Sequence, residues 1–431
     1  MQEQQTSRPP AKSDRAAIIA GLLAVIVAYG TALWVTGWLQ FPPDRDELHF
    51  WPTSLLFSRG FLPNLHTLRT YGELSTPLPF VLFGELHHLF GHGLILGRYL
   101  NFALSAVLLA VITCANGRPG RRSTLSALGL LLFPYYIGVA THLYTDPIAV
   151  FFGTIGVLLH IRRRFAWAAV CWLVAISTRQ YLVAIPAGIG AYEFTRAIME
   201  STGNWRRVRA EWVCPIAAAS SLGGWIFFFS GFGPANVVAR IPTARLTYLM
   251  PAHALYFLAC IGLYYCLPEM ILFRQKPFSV AQQADVFLVI LLSAGLAGTF
   301  ILFPPVRNVN YFTPRMGFLD IAANRILSQD ARIVLFYFLA LWAVVRFVKP
   351  RNTITGWLLI TNALVMAKAQ IAWDKYALPI IAVLWLLQAV GTEARQERAR
   401  LAPIRKHTEG MVENKELAQE QNGIIAPLCF R

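Results

Sequence analysis

Apolar stretches of about 15 to 25 residues alternate with short polar connections along most of the chain, which is how helices that cross a lipid bilayer read. The first such run is Ala16–Leu39. A long polar connection, residues 40–76, follows it, and then an amphiphilic stretch from Pro77 to Phe90 that suits a helical outer structure or a short re-entrant piece. Further runs cover Leu94–Ala115, Leu125–Ala140, Pro147–Ile161, Phe165–Ile176, Tyr181–Phe194 and Trp212–Phe229. The rest are Ala254–Phe273, Val286–Phe303, Ile333–Val348, Thr355–Ile371 and Tyr376–Val390. The pattern predicts an all-α polytopic membrane protein with about twelve transmembrane helices.

Composition sharpens this expectation. The chain is 56% hydrophobic and only 14% charged, against roughly 25% charged residues in soluble domains. The formal net charge of +16 is carried by alternate connections: Arg118, Arg121 and Arg122; Arg162–Arg164; Arg206, Arg207 and Arg209; Arg274 and Lys276; Lys349 and Arg351; and the tail from Arg395. Short cationic loops stay cytoplasmic, so both termini are expected inside and the connections between the basic loops outside. No basic patch accompanies a soluble reading domain, which argues against nucleic acid as a partner. Three segments follow: a cytoplasmic N-terminal segment 1–15, a membrane domain 16–391 whose first outer loop is 40–76, and a charged cytoplasmic tail 392–431. The six cysteines lack the spacing of a disulfide framework or a zinc site. His87, His88 and His92 share one short segment without a carboxylate motif, so no metal and no cofactor are expected.

Candidate chemistry gathers on the outer side. Immediately after the first run come Asp44, Asp46 and Glu47, with Arg45 between them and His49 just beyond. Crowded carboxylates repel one another, and one with raised proton affinity would serve as a general base; a solvated loop end with Arg45 as counterion is the plainer reading. Other outer connections hold Tyr144 and Asp146, Arg179 and Gln180, Arg245, and Asp374 with Lys375, while Arg98 begins the second run at its outer end. A single arginine at this depth can snorkel to headgroups. Several around one acidic loop suit an anionic lipid phosphate, which the guanidinium fork binds in two places. Asp146 ahead of Pro147 also has a local explanation as a helix N-cap.

These residues carry a resemblance. Arg45-Asp46-Glu47-Leu48-His49, continuing to Ser75-Thr76-Pro77-Leu78-Pro79 and Arg98-Tyr99-Leu100-Asn101, resembles the acidic motif region of the GT-C glycosyltransferases. Phe133-Pro134-Tyr135-Tyr136 through Leu143-Tyr144-Thr145-Asp146, then Thr178-Arg179-Gln180, and more weakly Ala244–Phe257, follow in the same order. The family most similar is that of the eukaryotic dolichyl-phosphate-glucose α-1,2-glucosyltransferases, and the likeness covers roughly the first 260 residues, with Lys375-Tyr376-Ala377-Leu378-Pro379 beyond. The resemblance implies a GT-C-like fold and transfer of a hexose, glucose by analogy, from a polyprenyl-phosphate sugar to a glycan or lipid-linked glycan on the non-cytoplasmic face, with inversion.

On that reading Asp46 is the base and Glu47 its reserve. Arg179 and Arg98, with Arg245 and Lys375 behind them, hold the donor phosphate. Asp146, Tyr144, Gln180, Asp44 and His49 contact sugar or acceptor. The rival classes are a polytopic lipid or glycan transporter or flippase, which would place charges such as Glu193, Glu269 or Lys368 at mid-membrane, and a non-catalytic glycolipid-binding relative. The outer connections hold no Asn-x-Ser/Thr sequon, which leaves a bacterial inner membrane and the endoplasmic reticulum both open, while compact loops and the lack of a recognisable retention signal favour the bacterial one.

Overall fold

The computed structural model describes residues 37–117, 119–200, 209–245, 247–274, 286–307, 315–348 and 352–391, with scattered positions between 23 and 35. The N-terminal segment, most of the first apolar run and the charged tail lie outside the described residues, as do Arg118, Arg206, Arg207, Lys276, Lys349 and Arg351. The described residues are helical, without a strand among them. Residues up to Ala389 form one compact unit; of a second, Val390–Arg431, only Val390 and Gly391 are described.

The first outer loop is itself helical. It carries α1 (Glu47–Leu56), α2 (Leu65–Thr70) and α3 (Leu78–Phe90). Pro77 and Pro79 flank the start of α3, where missing N–H groups cost nothing, and Gly91 ends it at φ 72°. Next come α4 (Gly93–Thr113), α5 (Arg121–Leu131), α6 (Pro134–Ala140), α7 (Asp146–Ile161) and α8 (Phe165–Thr178). A short 3-10 turn, Gln180–Val183, leads into α9 (Ala184–Glu200). Then follow α10 (Arg209–Phe229), α11 (Ala235–Arg240) and α12 (Pro251–Phe273), the last containing a π turn at Gly262–Cys266. The chain closes with α13 (Val286–Leu302), α14 (Phe318–Ile326), α15 (Gln329–Phe347), α16 (Ile354–Met366) and α17 (Leu378–Val390).

Among the described residues three helices are long and apolar enough to cross a membrane: Gly93–Thr113, Ala210–Phe229 and Pro251–Phe273. Apolar helices α3, α7, α8, α13 and α16 are shorter. Exposed apolar side chains decorate the outside, among them Trp167 on α8, Phe227 on α10, and Phe287, Ile290 and Ile301 on α13. Patches of this extent suit lipid rather than water, and together with the long helices they mark a membrane protein. At the centre lies α17, apolar on every side and buried with it, including Trp385.

Several expected runs differ in detail. The run Leu125–Ala140 is two helices, α5 and α6, bent by 76°. Pro134 is the reason: the residue before a proline is pushed to extended backbone, and Phe133 sits at φ −76°, ψ 115°. The run expected to end at Ile371 stops at Met366, and the last one begins as a 3-10 turn, Asp374–Ala377, before α17. Both interruptions deliver charged residues into the packed interior, and these form the site.

Candidate functional site

The acidic triplet splits into three environments. Asp44 is exposed and pairs with Arg45 at 3.5 Å, so Arg45 is indeed its local counterion. Glu47, the first residue of α1, is fully buried. Arg98 of α4 grips both of its oxygens, and the N–H groups of Leu143 and Asp44 donate to them as well. Arg98 spends its remaining donors on the carbonyls of Leu39 (2.8 Å), Phe41 (2.7 Å) and Pro42 (3.4 Å). Every guanidinium N–H is thereby used, and the residue is 2% exposed. Two expectations are corrected by this geometry. Arg98 has no donor left for a phosphate, and Glu47 has no lone pair directed at a substrate; together they clamp the end of the first apolar run to α4 and to the loop before α7.

That clamp fixes Asp46, one residue earlier, in a different role. Its carboxylate stays 39% exposed and accepts from Lys375, whose own side chain is 10% exposed. Lys375 arrives on the 3-10 turn before α17 and lies 4.9 Å over the Tyr144 ring. Burial works against its ammonium, but Asp46 above all, then Tyr376, Asp146 and Tyr144, outweigh burial and raise its pKa above the ordinary lysine value. Tyr144, just before α7, is pushed up to about 12, chiefly by burial.

A second buried pair completes the cluster. Asp146, at the start of α7, accepts from Arg179 at 2.9 Å and from the Tyr181 hydroxyl at 2.9 Å. Its side chain makes no capping bond, and the cap position belongs to Thr145, so the N-cap reading does not describe it. Arg179 ends α8 and also donates to Ser75 Oγ at 3.0 Å, with its guanidinium 5.7 Å from the Phe50 ring centroid. Burial opposes its charge; Asp146, then Tyr181 and Tyr376, overcome this and hold the guanidinium further into its charged form. Its Nε, buried, has no partner among the described residues.

Arg179 also forms part of the wall of a cavity of about 340 Å³. Leu74, Val183, Leu222, Phe232, Leu364, Val365 and Met366 make most of that wall apolar; Gln180, Lys368, Gln370 and Tyr376 add polar points. Gln180 donates to the carbonyls of Leu74 and Phe232, both at 2.7 Å, and so seals the edge of the cavity. Lys368 lies 5.0 Å over the Phe232 ring, at the end of α16.

Comparison with protein-family models, curated proteins and solved structures yields no match to this chain.

Asp46, Tyr144, Asp146, Arg179, Gln180 and Lys375, drawn from four separate stretches of sequence, therefore meet around one centre. Arg245 does not join them; it is exposed on the turn after Pro242–Ala244. His49 is exposed at the rim. The charges weighed for transport find local partners: Glu193 with His160 at 3.1 Å, and Glu269 with Arg346 through two bonds of 2.8 Å. His87 receives the Gly93 N–H and His88 meets the Ser58 carbonyl, and no metal-holding group occurs among the described residues.

Some site residues were not marked in the sequence. Tyr181 and Tyr376 pack their rings 5.4 Å apart at a tilt of 53° within what reads as plain membrane helix. Glu73 stands in no motif that singles it out along the sequence. Asp374, grouped with Lys375 as an outer charge, is instead fully buried. It accepts from Tyr256, Tyr264 and the Leu319 N–H, and burial raises its pKa despite these bonds. Its function is to seat the turn that aims Lys375.

Proposed function

We propose that this chain is a membrane glycosyltransferase that moves a hexose from a polyprenyl-phosphate sugar to a glycan or lipid-linked glycan hydroxyl, with inversion. On this reading it has a GT-C-like architecture of about twelve spans, the shorter helices among them, with the cluster on the non-cytoplasmic side. The observation that carries the proposal is the junction at Arg179. On one face of it lies an apolar cavity of about 340 Å³ with Lys368 in its wall; on the other lie Asp146, Lys375 and the partly exposed Asp46. An isoprenoid phosphate needs that combination of apolar wall and cation, within the size range of ligand pockets.

In the reaction the acceptor oxygen bonds to the anomeric carbon as the bond from that carbon to phosphate oxygen breaks. The electron pair leaves with the polyprenyl phosphate, and the acceptor proton passes to the Asp46 carboxylate. The geometry is that of an inverting glycosidase in which a sugar hydroxyl replaces water. The leaving phosphate is a weak base, so it needs fixed positive charge more than a proton; Arg179, through its unpaired Nε, and Lys368 supply it. Lys375 holds Asp46 in place, ready to accept.

The test is transfer of label from polyprenyl-phosphate [¹⁴C]glucose by the reconstituted protein into a crude lipid-linked glycan extract. Transfer is expected for the wild type, and Asp46→Asn should lower it about 10²–10⁴-fold while donor still binds. A folded wild type that neither transfers nor hydrolyses several lipid-phosphate sugars would remove the proposal's support and make transport the question.

A further inference from the structure

Glu73 sits on the short connection between α2 and α3, and that connection is tied down on both sides of it. The Tyr71 hydroxyl donates to the Ser75 carbonyl at 2.6 Å, and Leu74 and Ser75 hold Gln180 and Arg179. Thr76 reaches the Ile176 carbonyl at 3.0 Å. On the other flank, Asn236 of α11 donates to the Thr70 carbonyl at 3.0 Å. These bonds fix the connection that carries Glu73 beside Arg179 and Gln180. The charged groups within electrostatic reach of Glu73 are His49 and Asp46 at the start of α1, Arg179 at the end of α8 and Arg240 at the end of α11. Yet the Glu73 carboxylate, half-buried, takes no hydrogen bond or ion pair from any described residue. Glu47, by contrast, accepts from Arg98, Leu143 and Asp44, and Asp146 accepts from Arg179 and Tyr181. Asp46 accepts only from Lys375 and stays partly exposed, and Glu73 accepts from no described residue, so both carboxylates keep capacity for a ligand.

We propose that Glu73 is an acceptor-binding residue, whose carboxylate accepts a hydrogen bond from a hydroxyl of the acceptor sugar and holds that sugar beside Asp46. Neighbouring sugar hydroxyls often engage paired carboxylates, because a carboxylate accepts strongly and in a defined plane. Burial, with the nearby Asp46 carboxylate adding to it, raises the Glu73 pKa; His49, Arg179 and Arg240 pull the other way without cancelling the shift. The hydrogen-bond-accepting form is therefore lost on acidification earlier than for an ordinary glutamate. This inference rests on the transferase reading above.

The experiment uses the reconstituted full chain with polyprenyl-phosphate glucose as donor and octyl glucoside, galactoside and mannoside as acceptor probes, the best acceptor being carried forward. Glu73→Gln is expected to raise the acceptor KM at least tenfold, leaving kcat and donor KM within about twofold, and to move the acid limb of kcat/KM for the acceptor to lower pH. Glu73→Asp, shorter by one methylene, is expected to fall between the two and to keep the acid limb. An unchanged acceptor KM and pH profile in a folded Glu73→Gln overturns the acceptor role while leaving the transferase intact. A fall in kcat alone overturns it too, in favour of a role in proton transfer. If the Gln variant fails to fold, an unaltered acceptor KM in Glu73→Asp overturns it. A wild type inactive with every probe overturns both readings at once.

Discussion

Arg98→Met separates a structural role from a phosphate-binding one. Methionine preserves most of the stem volume but removes all five N–H groups, leaving Glu47 a buried carboxylate without its cation and three carbonyls without a donor. Breaking a buried pair by removing one partner costs about 3–5 kcal/mol, because the other charge stays behind. At roughly 2 °C per kcal/mol, the low end suited to a long chain, the apparent melting temperature should fall by about 6–10 °C. The assay is thermal unfolding of the detergent-purified protein at one scan rate, followed by fluorescence and by loss of the monodisperse chromatography peak. Glu47→Gln added to Arg98→Met removes the stranded charge and should recover part of the loss, so the two changes are coupled rather than additive. An Arg98→Met protein that melts with the wild type but no longer binds polyprenyl phosphate would refute the clamp and restore the phosphate role.

Three other outcomes follow from the same geometry. Because the folded-state pKa of Lys375 is raised, the stability given by its pair with Asp46 is complete below the unfolded lysine value and fades only as pH climbs through the folded one; the difference in melting temperature between wild type and Asp46→Asn should thus stay level from pH 7 to about 10 and shrink above it. Arg179→Lys keeps a positive charge but cannot reach Asp146 and Ser75 together, so kcat should fall about 10²-fold, as for a misplaced reacting group, with stability less affected than in Arg179→Ala. Gly262→Ala places a methyl group inside the van der Waals limit of the Leu339 carbonyl on α15, and overpacking of this kind should lower stability by about 1–3 kcal/mol, read as a lower melting temperature with an unchanged acceptor KM.

The all-helical, membrane-suited character was legible because hydrophobic run length is a direct consequence of bilayer thickness. Helix ends were less so. Proline at 134 broke an apolar run that composition alone joins, and the helix stops at Met366, ahead of Lys368 and Gln370, which line the cavity instead of extending the span. In the site, Asp46, Arg179 and Lys375 could be singled out because charge beside a membrane helix is rare enough to demand a reason. What the linear order hides is saturation. Glu47 and Asp46 are neighbours of one chemical type, and only the partner from position 98 makes one an anchor and leaves the other partly exposed. Asp374 and Lys375 divide in the same way, the first bonded to Tyr256 and Tyr264, the second turned toward Asp46. Glu73 was missed because its environment is assembled from His49, Arg179 and Arg240, positions that no local pattern connects.

The five-donor grip of Arg98 has a mechanical consequence. It ties the backbone at Leu39, Phe41 and Pro42 to α4, just before the acidic residues begin. Strain arriving along the first apolar run is therefore grounded at α4 before it can reach Asp46. The reactive end of the loop is isolated from its own leading segment, so lengthening, stiffening or tagging the chain ahead of Leu39 should alter insertion and yield while leaving the placement of Asp46 unmoved.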